Sequence, residues 1–115
     1  MHKTLVAITL LLSTQVAHAA SFTVAMFQAT KEQDSTLWYV TGVGQGYLYA
    51  NSQLTFEGKQ PIYCQPINLT LVGLNYAKLI ESEIKRPSTA QPYRSEVSIE
   101  VVLLSALRAT FPCIK

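Results

Sequence analysis

Histidine is almost absent from this chain of 115 residues, and neither of its two histidines lies beyond residue 18. Hydrolase triads, Cys–His dyads and most zinc sites depend on imidazole. His2 and His18 both fall in a segment with the features of a removable leader. We therefore expect a working protein that is not an enzyme, with no catalytic residues, no metal and no other cofactor.

The sequence also lacks a long apolar run and a strong excess of one charge. Its clearest apolar run, from Leu5 to Leu12, is far shorter than the roughly 20 residues needed to span a bilayer. Nine Lys and Arg residues stand against seven Asp and Glu. The two signs are interspersed rather than clustered as in a nucleic-acid-binding surface. We expect no nucleic-acid partner, and no membrane association once the leader is removed.

The first nineteen residues have the three regions of a secretory signal peptide in the usual order. A basic start at Lys3 precedes the apolar run, and Ala17 and Ala19 place small residues at −3 and −1 of a cut before Ala20. The residue directly after that cut is not the cysteine that a lipoprotein would require. The sequence therefore predicts a signal peptide over residues 1–19, export to the periplasm and one domain over residues 20–115.

Cysteine occurs only twice, at Cys64 and Cys113. In a compartment that oxidises thiols, an even count predicts a disulfide, with a ligand pair or a reactive thiol as the alternative. Closing a loop of about fifty residues stabilises a fold by roughly 4 kcal/mol on the chain-entropy model. For so small a domain we expect the bridge to be essential.

Apolar residues at spacings of three and four predict helices over about 35–52, 69–85 and 94–111. Residues 21–30 fit either a short strand or a lead-in to the first helix. In the last segment a strand-like alternation competes with a helical face, and the length of the segment favours the helix. That predicted face consists of Ile99, Val102, Leu103, Ala106 and Leu107. The predicted fold class is all-α, a small bundle of three to four helices closed by one disulfide.

Glycine and proline residues are assigned structural roles. Gly42, Gly44 and Gly46 each cost about 1 kcal/mol in a helix interior, and close approach of another backbone is the expected compensation. Pro66 is expected to hold the chain extended before the second helix, which Asn68 or Thr70 is predicted to cap. Pro112 is expected to end the last helix.

Paired carboxylates are the remaining candidates for catalysis. Glu81 with Glu83, or Glu96 with Glu100, could in principle hydrolyse glycosides, which leaves a cell-wall hydrolase as a third candidate function. Glu96 and Glu100 have the i, i+4 spacing of a polar helix face, and a solvated surface is the better interpretation. The segment from Gly42 to Gly46 lacks the flanking strand of a nucleotide-binding loop.

Three segments in a fixed order resemble a known family. They are Tyr39–Gly46 (YVTGVGQG), Tyr63–Pro66 (YCQP) and Ala106–Cys113 (ALRATFPC). With the leader and the amphipathic helix between them, this pattern resembles the Rap1a/Tai family of periplasmic immunity proteins over nearly the whole exported chain. It departs from the family at Gln45, where members commonly carry an acidic residue. The resemblance implies a mostly helical, disulfide-bearing protein, often dimeric, so a homodimer is among the expectations.

The resemblance also implies a function. Characterised members block peptidoglycan amidase toxins of type VI secretion by placing a protruding surface in the amidase cleft, so a protein partner of that class is expected. The polar loops at 56–62 and 87–93 are the predicted contact segments. Their predicted partner-binding residues are Glu57, Lys59, Gln60, Gln91 and Tyr93. The alternative function is a small periplasmic chaperone or envelope-stress protein without enzymatic activity.

Overall fold

A computed structural model describes residues 21–86 and 95–114 of the protein, and within these ranges the fold is all-helical. The helices are α1 (Val24–Thr30), α2 (Asp34–Phe56), α3 (Gly73–Ile84) and α4 (Ile99–Thr110). Cys64 and Cys113 form a disulfide with an S–S distance of 2.06 Å. The predicted all-α fold with one disulfide is thus confirmed. Gln91 and Tyr93, like the predicted signal peptide over residues 1–19, lie outside the described residues.

The core lies where α3 packs on α2 and on α4, with α1 closing one end. Val24 and Phe27 are the buried residues of α1, and Thr23 caps that helix by accepting a hydrogen bond from the Met26 N–H (3.3 Å). Residues 21–30, for which strand and lead-in were both open, are therefore mainly a short helix. The predicted buried face of α4 is confirmed at every position: Ile99, Val102, Leu103, Ala106 and Leu107 are buried.

The three glycines of α2 do not share one role. A Cβ built on Gly44 would lie 2.3 Å from the ring of Tyr76, which is only 1% exposed. A Cβ on Gly42 or Gly46 would have no heavy atom of another element within 4 Å among residues 21–86 and 95–114. The prediction of close packing is therefore wrong for Gly42 and Gly46. At Gly44 the helix is approached closely, although by an aromatic ring rather than by a backbone.

Helix α3 begins four residues later than predicted. Asn68 and Thr70 do not cap it, and Val72 is the N-cap residue instead. The Asn75 side-chain oxygen accepts a hydrogen bond from the Val72 N–H (2.9 Å), which satisfies one of the free donors at the start of the helix. The first residue of α3 lies close to α2, since a Cβ on Gly73 would lie 2.9 Å from the Leu37 carbonyl oxygen.

Helix α4 also begins later than predicted. The residues just before α4 form backbone hydrogen bonds with the residues at the start of α1 instead of extending the helix. The Val24 N–H donates to the Val97 carbonyl (2.9 Å), and the Ile99 N–H donates to the Phe22 carbonyl (2.8 Å). Thr23 and Ser98 form an isolated antiparallel bridge. Residues 95–97 form a turn and a bend rather than a strand, and the helical pattern holds only from Ile99 onward. The helix ends at Thr110, two residues before Pro112, as predicted.

Candidate protein-binding surface

A tight turn at the end of α2 presents three of the predicted contact residues to solvent. Glu57, Lys59 and Gln60 are all exposed, and Gly58 between them has a φ of 73°. This left-handed conformation lets the chain leave the helix while its last carbonyls stay paired. The Gly58 N–H donates to the Thr55 carbonyl (3.0 Å), and the Lys59 N–H donates to the Leu54 carbonyl (2.8 Å).

The tip of this turn carries a local ion pair. The Lys59 Nζ lies 3.1 Å from a carboxylate oxygen of Glu57, and the Gln53 amide donates to the other oxygen (3.1 Å). The hydrogen bond from Gln53, followed by the one from Lys59, lowers the pKa of Glu57 below its ordinary value. The tip therefore exposes one carboxylate and one ammonium group that are paired with each other.

A buried asparagine holds the chain that comes after the turn. Asn51 is 7% exposed, and its side-chain nitrogen donates to the Tyr63 carbonyl (2.5 Å). Its side-chain oxygen accepts from the Ile62 N–H (2.6 Å). Because one side chain pairs with both a donor and an acceptor of the backbone, Asn51 fixes residues 62–63 against α2. Sequence reasoning missed this residue, although its position seven residues after Gly44 on the inner face of α2 was a signal.

The disulfide anchors the other side of the same segment. Cys64 is bonded to Cys113, and the Cys64 N–H donates to the Phe111 carbonyl (2.7 Å). The turn at residues 57–60 thus lies between α2 on one side and a covalent link to the end of α4 on the other. Pro66 is exposed next to this link and accepts a hydrogen bond from the Leu69 N–H (3.0 Å). Pro112, also exposed, comes after the end of α4.

A cleft of about 480 Å³ lies beside the anchored segment, between the second half of α2 and residues 61–69. Tyr63 is buried at the cleft, and burial raises the pKa of its hydroxyl to about 12, so the group stays protonated at neutral pH. Tyr49, Ile67 and Leu69 line the cleft and are exposed. The cleft is therefore mostly apolar.

Aromatic residues are unusually exposed on the outer side of α2. Trp38 is 80% exposed, Tyr49 is 71% exposed and Phe56 is 86% exposed. Exposed aromatic side chains are enriched at the centres of protein–protein interfaces. The sequence could not sort these aromatics from core residues, because Tyr63 and Tyr76, which are buried, have the same residue type.

The carboxylates considered for glycoside chemistry are engaged with other side chains. Glu81 pairs with Lys31 (2.6 Å), and buried Glu83 pairs with Arg86 (2.6 Å). Glu100 accepts hydrogen bonds from Tyr39 and Ser98. In the described part of the chain these three carboxylates therefore have structural contacts.

Residues 21–86 and 95–114 contain no group of three or more metal-ligating side chains, and none of their helices is long and apolar enough to cross a bilayer. Comparison of the chain with protein-family models, with curated proteins and with solved structures found no match.

Proposed function

We propose that this protein is a periplasmic immunity protein that binds a peptidoglycan amidase effector of type VI secretion and occludes its active site. The observation that carries the proposal is the turn at residues 57–60, whose charged tip is exposed while its base is fixed by Asn51 and by the disulfide. The order of the YVTGVGQG, YCQP and ALRATFPC segments supports the same assignment.

A fixed protrusion suits inhibition by occlusion because it loses little conformational entropy when it enters a cleft. Preorganised binding segments gain affinity mainly by reducing this cost. Glu57 and Lys59 supply polar contacts at the edge, and exposed Ile62 supplies an apolar contact next to them. An apolar anchor surrounded by polar groups is typical of the centre of a protein–protein interface.

The proposal predicts a Cys–His peptidoglycan amidase encoded next to this gene, and the test uses that amidase. Periplasmic co-expression is expected to protect cells from lysis, and the purified proteins are expected to form a complex without hydrolysis of peptidoglycan. Lys59→Glu places two carboxylates at the tip and is expected to weaken inhibition at least 10-fold, in line with the loss of about 1.4 kcal/mol or more. Lys78→Glu, a charge reversal on the exposed side of α3, is the control. Full amidase activity in the presence of excess unmodified protein would refute the proposal.

The proposal also requires export. Expression of the full chain in a Gram-negative host is expected to yield a periplasmic protein that begins at Ala20. Intact-mass measurement and N-terminal sequencing of the periplasmic fraction check this. An uncleaved chain, or one confined to the cytosol, would separate the protein from any wall-degrading toxin and would contradict the assignment.

Exposed apolar residues also favour a second candidate, a small periplasmic chaperone. Trp38, Tyr49 and Phe56 could hold unfolded chains without any enzymatic step. An acid-activated chaperone of this kind should expose further apolar surface as the pH falls. Binding of a hydrophobic dye that stays constant down to about pH 2 would count against this function, since acid-expanded states bind such dyes.

A further inference from the structure

The cleft between the second half of α2 and residues 61–69 is lined, within the described part of the chain, by uncharged residues alone. Its volume of about 480 Å³ lies in the range of roughly 300–1,000 Å³ that is usual for small-molecule sites. An anion would find no basic side chain there. A cation would find no carboxylate to offset the cost of its desolvation. The lining of the cleft therefore favours a neutral ligand.

The hydroxyl groups that line the cleft use their protons within α2. Ser52 donates to the Leu48 carbonyl (2.9 Å), and Thr55 donates to the Asn51 carbonyl (3.3 Å). Both residues are exposed. Each hydroxyl oxygen keeps lone pairs that can accept a further hydrogen bond. These two groups therefore offer acceptors to a ligand rather than donors.

Gln65 supplies another acceptor on the other side of the cleft. Its side-chain nitrogen donates to the Leu69 carbonyl (2.7 Å). Because a carbonyl oxygen only accepts, this contact decides which end of the amide is the nitrogen. The Oε1 atom is buried and has no hydrogen-bond partner among residues 21–86 and 95–114. Buried acceptors usually have a partner, and an N–H or O–H group of a ligand would provide one.

Apolar groups provide the rest of the contact surface. Tyr49 on α2 is 71% exposed, and Ile67 and Leu69 are exposed on the loop across the cleft. The face of an aromatic ring is the negative part of its quadrupole and attracts weakly positive C–H groups. The two aliphatic side chains can cover a methyl group. The cleft therefore suits a neutral molecule with an apolar ring face, a methyl group and several hydrogen-bond donors.

We propose that this cleft binds an oligosaccharide built from N-acetylhexosamine units. The hydroxyl and amide N–H groups of such a sugar are donors for Ser52, Thr55 and Gln65. Its ring C–H groups can lie on Tyr49, and its acetyl methyl group can contact Ile67. The glycan strands of peptidoglycan contain N-acetylhexosamine units, so an exported protein would meet this ligand in the cell wall. The inference does not depend on the proposed immunity function.

A purely apolar ligand, such as an acyl chain, fits the cleft less well. It would cover the acceptors of Ser52, Thr55 and Gln65 without offering them a donor, and the cost of their desolvation would remain. A sugar satisfies the same acceptors and still covers the apolar groups. The acceptors therefore distinguish a sugar from an acyl chain.

Both sides of the cleft are fixed before a ligand arrives. One side is a helix, and the other is held by the disulfide between Cys64 and Cys113. The Leu69 N–H donates to the Pro66 carbonyl (3.0 Å), which closes the loop on itself. A site that is already ordered loses little conformational entropy when it binds a ligand.

Calorimetric titration of the oxidised periplasmic protein with the β-1,4-linked tetramer of N-acetylglucosamine tests the proposal. Saturable binding of one tetramer per chain is expected. Maltotetraose, which has hydroxyl groups but no acetamido group, is expected to bind about 10-fold less tightly. The permethylated tetramer keeps the ring shape but lacks every O–H and N–H donor, and no binding of it is expected.

Variants of two exposed aromatic residues on α2 locate the binding site. Tyr49→Ala is expected to weaken binding of the tetramer about 10-fold, whereas Tyr49→Phe, which keeps the ring, should bind nearly as tightly as the unmodified protein. Phe56→Ala is the control, because Phe56 is 86% exposed on the same helix but does not line the cleft. An unchanged urea midpoint checks that each variant is folded.

Three results would overturn the proposal. The first is the absence of saturable binding of the tetramer. The second is equal or tighter binding of the permethylated tetramer, which would show that the cleft recognises apolar surface alone. The third is equal weakening by Tyr49→Ala and Phe56→Ala, which would place the sugar elsewhere. None of these titrations uses an amidase, so a failure of sugar binding and a failure of immunity are distinguishable.

Discussion

Gly42 and Gly44 lie two positions apart in α2, and their surroundings predict opposite effects of one substitution. Gly44→Ala places a methyl group against the buried ring of Tyr76 and is expected to lower the free energy of unfolding by about 1–2 kcal/mol, since overpacking outweighs the gain in helix propensity. Gly42→Ala places its methyl group in open space and is expected to raise the free energy of unfolding by about 1 kcal/mol. Urea unfolding at one low protein concentration checks both. Equal stabilisation by the two substitutions would contradict the close approach at Gly44.

Asn51 supports the candidate contact turn through two hydrogen bonds to the backbone. Asn51→Ala leaves the Tyr63 carbonyl and the Ile62 N–H without this partner. The substitution is expected to lower the free energy of unfolding by about 2–3 kcal/mol. Hydrogen exchange at Ile62 should become faster in the variant. Ser52→Ala is the control, because the hydroxyl of exposed Ser52 bonds to a carbonyl within its own helix (2.9 Å). An unchanged exchange rate at Ile62 would show that the disulfide alone holds the segment.

Helices α2 and α4 are joined by a polar cluster at Glu100. Its carboxylate accepts from Tyr39 and Ser98, and the Tyr47 hydroxyl donates to its backbone carbonyl (2.9 Å). Burial by itself would raise the pKa of Glu100. The hydrogen bonds from Ser98 and Tyr39 outweigh burial, so this pKa lies below its ordinary value of 4.5. The hydrogen bond to Glu100, followed by burial, raises the pKa of Tyr39 to about 12.

These pKa shifts define the pH range in which the polar cluster at Glu100 stabilises the fold. A carboxyl group with a lowered folded-state pKa stabilises fully above its unfolded pKa and loses this contribution as the pH falls through the folded value. A tyrosine with a raised pKa stabilises fully below about pH 10 and loses the contribution as the pH rises towards 12. We expect the urea midpoint to fall below about pH 4.5 and to fall again above about pH 10.

Glu100→Gln tests the predicted loss of stability at acid pH. The substitution removes the titrating group, so the variant should be less stable at pH 7 and its urea midpoint should depend less on pH between about 5 and 3. Glu96→Gln, at an exposed carboxylate in the loop before α4, is the control. If the urea midpoint falls equally at acid pH in the unmodified protein and in Glu100→Gln, other carboxyl groups cause the loss of stability. Glu81, which pairs with Lys31, would be one of them.

The starts of α3 and α4 show the limits of periodicity as a predictor. Apolar spacing predicted both helices, but it extended each by four or five residues into chain that is not helical. The N–H and carbonyl groups before α4 bond instead to residues 22–25, which are distant in sequence. The spacing of apolar residues in one segment cannot predict these long-range hydrogen bonds, because they form only after the first and last helices have packed together.

The disulfide links the loop after α2 to the end of α4 and so constrains almost half of the molecule. The two cysteines are 49 residues apart. Replacement of both by alanine is therefore expected to lower the free energy of unfolding by about 4 kcal/mol on the chain-entropy model. Urea unfolding with and without a reductant, compared with Cys64→Ala/Cys113→Ala, measures this. If reduction leaves the urea midpoint unchanged, the core alone supplies the stability of this small domain.

The sequence by itself determined the helical class, the pairing of the two cysteines and the complete buried face of α4. These depend on residue type and spacing along one chain segment. Only the tertiary structure decided that Gly44 meets a ring while Gly42 and Gly46 face solvent, that Asn51 holds residues 62–63 against α2, and that Trp38 and Tyr49 are exposed. The physical reason is that each of these properties depends on which element lies opposite, and the distance between two elements is not encoded in the spacing of either one.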